Sequence, residues 1–132
     1  MILLDTHIWI RWILNDNPLP QTIIDIIESS DAELAVSAIS TWELVLLEKR
    51  KRIELPLPVD EWLEEALLRS GVQSLPISSA IAFLAGSLPE YHKDPADRII
   101  IATSIVNDTQ LISFDTAFPQ YSELEGRLIA EA

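Results

Sequence analysis

No cysteine occurs in the 132 residues, and only two histidines do, His7 and His92. The first absence removes disulfides, thiolate zinc sites and thiol nucleophiles together, and two histidines are too few for a histidine-rich metal centre. Any bound metal must then be held mainly by oxygen, which suits hard cations such as Mg²⁺ and Mn²⁺. Long apolar runs are also missing: none approaches the roughly 20 residues of a membrane span. The opening MILLDTH places Asp5 where a secretory leader would carry a basic flank and a longer apolar stretch. The chain is expected to be cytoplasmic, with no membrane partner.

Basic residues are scarce, 9 Lys and Arg against 21 Asp and Glu, for a net charge of −12. Such a balance argues at first against a nucleic-acid partner, because binding phosphates draws on a basic surface. The positive charge is concentrated, however, in the consecutive Lys49, Arg50, Lys51 and Arg52. This run is either a phosphate-facing patch or a basic helix end that complements the helix dipole.

What the chain does have is enough apolar content, 48% hydrophobic residues, to bury one core, and residues 1–132 are expected to form a single domain. MILLD reads as a short strand and THIWIRWIL as a helix broken by NDNPLP. QTIIDIIESS is helical, AELAV a short buried strand, and SAISTWELVLLEKRKR a helix with a basic end. VDEWLEEALLRSG forms a helix closed by Gly71, VQSLPI a strand, SSAIAFLAGSL a helix, PEYHK a loop, DPADRIIIATSIVN a helix, and TQLIS a strand ending at Phe114 and Asp115. The tail SELEGRLIAEA fits either a last edge strand or a helix. Strands alternating with helices predict a three-layer α/β/α sandwich around a mostly parallel sheet of four or five strands.

Ligands of open α/β sheets bind beyond the carboxyl ends of the strands, and Asp5 and Asp115 both stand at such ends. Strand ends are also turns, where Asp is common without any further role. Glu43 sits among apolar neighbours in TWELVLL, so that a bare carboxylate there would cost several kcal/mol, on the order of the effective penalty for a buried ion. It is either a ligand or the glutamate of a Ser40-Thr41-Trp42-Glu43 capping box, with Ser37 an equally good cap three positions earlier. In KDPADRII, Asp94 as N-cap, Pro95 at the first helical position and Asp97 in the first turn make a complete helix start. Asp97 can in addition reach past the helix end into the crevice. Four acids gathered at one end of a sheet would repel unless a cation neutralised them, so such a cluster would mark a divalent-metal site. The four tryptophans, Trp9, Trp12, Trp42 and Trp62, are expected to serve as core or interface anchors.

LLDTH, VSAISTWEL, HKDPADRIIIATSI and LISFDTAF occur in this order over residues 1 to 121. Together they resemble the PIN-domain nucleases, specifically the VapC-type toxins of toxin–antitoxin pairs. The resemblance implies a PIN-like fold and Mg²⁺ or Mn²⁺ bound by Asp5, Glu43, Asp97 and Asp115. Asp94 would cap and support the site, with Thr6 and Ser113 as hydroxyls that orient the acids; Ser113 stands where family members often carry Thr. The implied activity is a metal-dependent endoribonuclease that leaves 5′-phosphate and 3′-hydroxyl ends. The implied partners are an RNA substrate, an antitoxin lying in a groove over the active site, and a second copy in a homodimer. A PIN-fold module that binds without cleaving is the alternative. A Mg²⁺-dependent phosphatase or phospho-acceptor domain fits less well, because Asp5 is followed by Thr6 and His7 and no lysine lies beyond Lys93.

Overall fold

The computed structural model describes residues 1–29, 31–91 and 93–130, so His92 and the last two residues of the tail lie outside the described residues. Among these residues five strands form one sheet: β1 (Ile2–Leu4), β2 (Leu34–Ser37), β3 (Val72–Leu75), β4 (Gln110–Ile112) and β5 (Leu128–Ile129). Their order across the sheet is β3-β2-β1-β4-β5, and every neighbouring pair is parallel. The tail therefore resolves as an edge strand, with Leu128 opposite Leu111 and Ile129 opposite Ile112.

Among the described residues six α-helices connect and cover the sheet: α1 (Thr6–Leu14), α2 (Gln21–Ile27), α3 (Ala38–Lys49), α4 (Val59–Glu64), α5 (Ser79–Ser87) and α6 (Pro95–Asn107). α4 continues as a π-helical segment, Glu65–Arg69, and the chain then turns through Gly71 at φ 69°. A left-handed residue closing a helix is where glycine is favoured, as the sequence indicated.

The side-chain period of two along each strand separates the core into two halves. Ile2, Leu4, Leu34, Val36 and Ile112 face a cluster built with Ile8 and Trp9 of α1, Ile23 and Ile27 of α2, and Trp62 of α4. Leu3, Ala35 and Leu111 face the other way, onto Ile100 and Ile101 of α6 together with Phe118, Tyr121 and Leu124. Trp9 and Trp62 are buried with ring centroids 5.6 Å apart, joining α1 to α4, and so act as core anchors. Trp42 is 55% exposed and does not belong to the core.

The topology fixes where a ligand can sit. Chain order runs outward from β1 to β2 and β3 on one side and to β4 and β5 on the other, so the crossover direction reverses between β1 and β4. Such a switch point opens a crevice beyond the carboxyl ends of the strands. The residues immediately after β1 and β4 are Asp5 and Ser113.

Candidate active site

Most of the candidate side chains are delivered by the ends of elements, and Glu43 by the second turn of α3. β1 stops at Leu4 and Asp5 caps α1, its Oδ1 accepting from Thr6 N at 2.8 Å. The β1 and β4 register, Leu4 opposite Ile112, continues one step further in the bond from Asp5 N to Ile112 O at 3.0 Å. That places Ser113 beside Asp5, and Ser113 Oγ donates to Asp5 Oδ2 at 2.8 Å. The same Oγ accepts from Asp115 N at 3.1 Å, while Asp115 Oδ1 accepts from Ala117 N at 2.8 Å. One serine hydroxyl thus orients Asp5 and shapes the turn that carries Asp115.

β2 leads directly into α3, and Ser37, not Ser40, is the cap: its hydroxyl accepts from Ile39 N at 3.2 Å. The Ser40-to-Glu43 capping box is therefore not formed, because Ser40 already lies inside the helix, where it has no free end to cap. Its hydroxyl lies 2.7 Å from Thr6 Oγ1, and Thr6 Oγ1 donates to Glu43 Oε1 at 2.6 Å. A hydroxyl has one proton, so with Thr6 donating to Glu43, Ser40 must donate to Thr6. α6 starts as its sequence requires, Asp94 accepting from Ala96 N at 3.0 Å with Pro95 following.

The second turn of α3 and the start of α6 converge. One carboxylate oxygen from each of Glu43, Asp94 and Asp97 lies within 4.8 Å of the others. Glu43 is half-buried, Asp94 exposed and Asp97 buried, a gradient that leaves the trio open on one side. Asp94, expected to cap and to support, does cap, and it also stands within the trio. Asp5 and Asp115 lie outside this grouping; the charge of Asp5 acts on Glu43, and that of Asp115 acts on Asp5. Burial raises the Asp5 carboxyl above its ordinary range, partly offset by the Ser113 hydrogen bond, and the charge of Asp115 adds to the rise. Burial likewise raises Glu43, against the Thr6 hydrogen bond, and the charges of Asp5 and Asp94 raise it further. Five carboxylates share one end of the sheet, and two of them resist ionising.

Glu43 and Asp94 also form part of the lining of a groove of about 450 Å³ that includes His7, Trp42, Arg50 and Arg52. Within the basic run, the two arginines face the groove, Lys49 ends α3, and Lys51 turns the chain in the left-handed conformation at φ 57°. Sequence reasoning did not single out His7 as a lining residue. The available signal was its place directly after Asp5 and Thr6.

Residues 2–124 match the profile of the PIN domain family. The chain belongs to that family. This PIN domain is 38% identical over 115 residues to Ribonuclease VapC22 of Mycobacterium tuberculosis, covering 86% of each chain. Its fold is similar to that of VapBC2 from Rickettsia felis bound to a promoter DNA fragment, with a TM-score of 0.70, 19% identity and 98% of each chain covered. A toxin–antitoxin complex from Klebsiella pneumoniae gives a TM-score of 0.66 at 22% identity, covering 98% of this chain and 96% of that one.

Proposed function

We propose that this PIN domain is a divalent-metal-dependent endoribonuclease, the toxin of a toxin–antitoxin pair. The observation that carries the reading is the convergence of Glu43, Asp94 and Asp97 to within 4.8 Å beside the buried Asp5. An all-oxygen donor set at such spacing fits Mg²⁺ or Mn²⁺, and the raised carboxyl groups of Asp5 and Glu43 are those a cation would neutralise. The kinship with a named ribonuclease at 38% identity supports the substrate class.

When bound, the metal supplies Lewis-acid stabilisation of the phosphate in the transition state and acidifies the attacking water. Glu43, Asp94 and Asp97 are the residues that would hold it, with Asp5 and Asp115 completing the acidic crevice. Thr6 restrains the Glu43 carboxylate and Ser113 restrains that of Asp5, so both are oriented before substrate arrives. Hydrolysis forms a bond from the water oxygen to phosphorus and breaks the bond to the 3′ oxygen, which takes up a proton. The products carry 5′-phosphate and 3′-hydroxyl ends.

An antitoxin as protein partner is supported by the toxin–antitoxin complexes that share the fold. A homodimer is part of the same proposal. Among the described residues no helix is long and apolar enough to cross a membrane.

The test is to incubate the purified chain with total cellular RNA and Mn²⁺ or Mg²⁺, beside an EDTA control and Asp97→Asn, and to map new 5′-phosphate ends. Discrete ends lost in both controls are expected. Ends that persist in Asp97→Asn would refute the site, and no cleavage in any arm would favour a PIN module that binds without cutting.

A further inference from the structure

The groove beside the acids has a second end that the cleavage chemistry leaves unused. Glu43, Leu46, Leu47 and Arg50 follow one another at helical spacing along α3 and line the same groove. From Glu43 to Arg50 is seven residues, about 10 Å along the helix axis. Arg52 joins them because left-handed Lys51 folds the chain back, with Arg52 N donating to Leu47 O at 2.8 Å. The result is a polarised groove with carboxylates at one end and two guanidinium groups at the other, and Trp42, next to Glu43 on α3, lines it as well.

Resting on the ribonuclease reading, we propose that this second end is a subsite for single-stranded RNA. In it the Trp42 ring stacks on a base, and Arg50 and Arg52 hold phosphates next to the one that is cut. Three observations support this occupant. First, the chain carries a net charge of −12, so a polyanion can be held only where cations are gathered, and here two face one groove. Second, neither Arg50 nor Arg52 has an ion-pair partner among the described residues, which leaves both guanidinium forks available for phosphate oxygens. Third, Trp42 is 55% exposed beside Glu43, although a ring of that size would ordinarily be buried in a core. An exposed aromatic face next to a phosphate-binding pair is how single strands are gripped without reading their sequence. Stacking needs an unpaired base, so the subsite selects loops and single strands over duplex.

The experiment measures binding by fluorescence anisotropy of a labelled random-sequence 12-mer RNA, with every protein carrying Asp97→Asn so that the probe stays intact. Trp42→Ala should weaken binding by about 5- to 150-fold, the range measured for base–aromatic stacking, and Trp42→Phe should retain most of the affinity. Arg50→Gln and Arg52→Gln should each flatten the dependence of log affinity on log salt by about 0.7, while Arg69→Gln, on the π-helical segment and outside the groove lining, should not. Affinity for the same RNA as a duplex should respond little to Trp42→Ala. Should Trp42→Ala unfold, Trp42→Leu against Trp42→Phe carries the comparison alone, loss in the first and retention in the second being expected.

Unchanged affinity and salt slope in all these variants would overturn the subsite and assign the groove to a protein partner. Cleavage of total RNA by the protein without Asp97→Asn is scored separately. Cleavage with unchanged affinities removes the subsite alone, and absence of both cleavage and RNA affinity removes the subsite together with the ribonuclease reading.

Discussion

Thr6 Oγ1 donates to Glu43 Oε1 at 2.6 Å and bridges two helices whose contacting residues are 37 apart in sequence. Thr6 is fully buried, and Ser40 supplies the second contact to the same hydroxyl. A buried threonine is therefore what holds a half-buried carboxylate toward Asp94 and Asp97. Removing that hydroxyl would leave Glu43 partly desolvated and without its donor, and would push its carboxyl further upward.

Thr6→Val, nearly the same shape without the hydroxyl, is expected to lower metal-dependent RNA cleavage by about 10- to 100-fold. It should also cost about 1–3 kcal/mol of stability from the polar groups left unsatisfied. Thr6→Ser should restore most of both. Cleavage rates and urea unfolding of the three proteins check this, and full activity in Thr6→Val would show that Glu43 does not depend on the contact.

Asp5→Asn and Asp97→Asn are each expected to abolish cleavage while the protein still folds. At Asp5, Asn keeps the size and an oxygen that can accept from Thr6 N, while its amide NH2 faces Ser113 Oγ, which can turn to accept, and the negative charge is removed. Circular dichroism beside the 5′-end mapping distinguishes lost chemistry from lost structure; ordinary turnover in either variant would sink its assignment.

Burial holds the carboxyl groups of Asp5 and Glu43 above their ordinary range, so the folded chain keeps protons at pH values where the unfolded chain has released them. Their contribution to stability is therefore most favourable below the ordinary carboxylate range, and it declines as pH rises through the folded values. In EDTA, Glu43→Gln should flatten that decline and melt higher than the parent at pH 7. With Mn²⁺ the order should reverse, since a ligand at 100 times its Kd stabilises by about 2.7 kcal/mol and the variant has lost part of its site. Melting temperatures across pH with and without metal decide it, and a parent insensitive to Mn²⁺ would count against the metal site.

Lys51 is a side chain held at φ 57°, where an L-residue pays roughly 1–2 kcal/mol and glycine does not. Lys51→Gly loses about 0.5–1 kcal/mol of this advantage through unfolded-chain entropy, so a net stabilisation of up to about 1 kcal/mol is expected. Lys51→Val should destabilise instead. Thermal unfolding of the pair tests whether the turn that returns Arg52 to the groove is strained.

Trp9 is completely buried against Trp62, and Trp9→Ala should cost about 3–5 kcal/mol, enough to unfold much of a domain of this size. Trp42→Ala, by contrast, should change the melting temperature little, because most of that ring is already in water.

Local chemistry wrote much of this protein into its sequence. Alternating apolar residues in the short strands, Gly71 at a helix end, and Asp94-Pro95 at a helix start each depend on neighbours within a few positions. The elements and the parallel sheet were accordingly legible, as was the tail's potential to be a strand. Asp5 and Asp115 could be placed at strand ends for the same reason, and the motifs around Glu43 and Asp97 carried the family resemblance.

Distances between elements are not written in this way, and there the tertiary structure decided. Between Ser37 and Ser40 as caps of α3, local preference is even; packing settled it by running β2 straight into the helix and turning Ser40 toward Thr6. Only the meeting of α3 with the start of α6 brought Asp94 into one trio with Glu43 and Asp97. The four consecutive basic residues were divided by the backbone, two facing a groove and one spent on a left-handed turn. Periodicity and capping are short-range and repeat along the chain. A site is made by residues tens of positions apart, and their approach is fixed by the packing of the whole core.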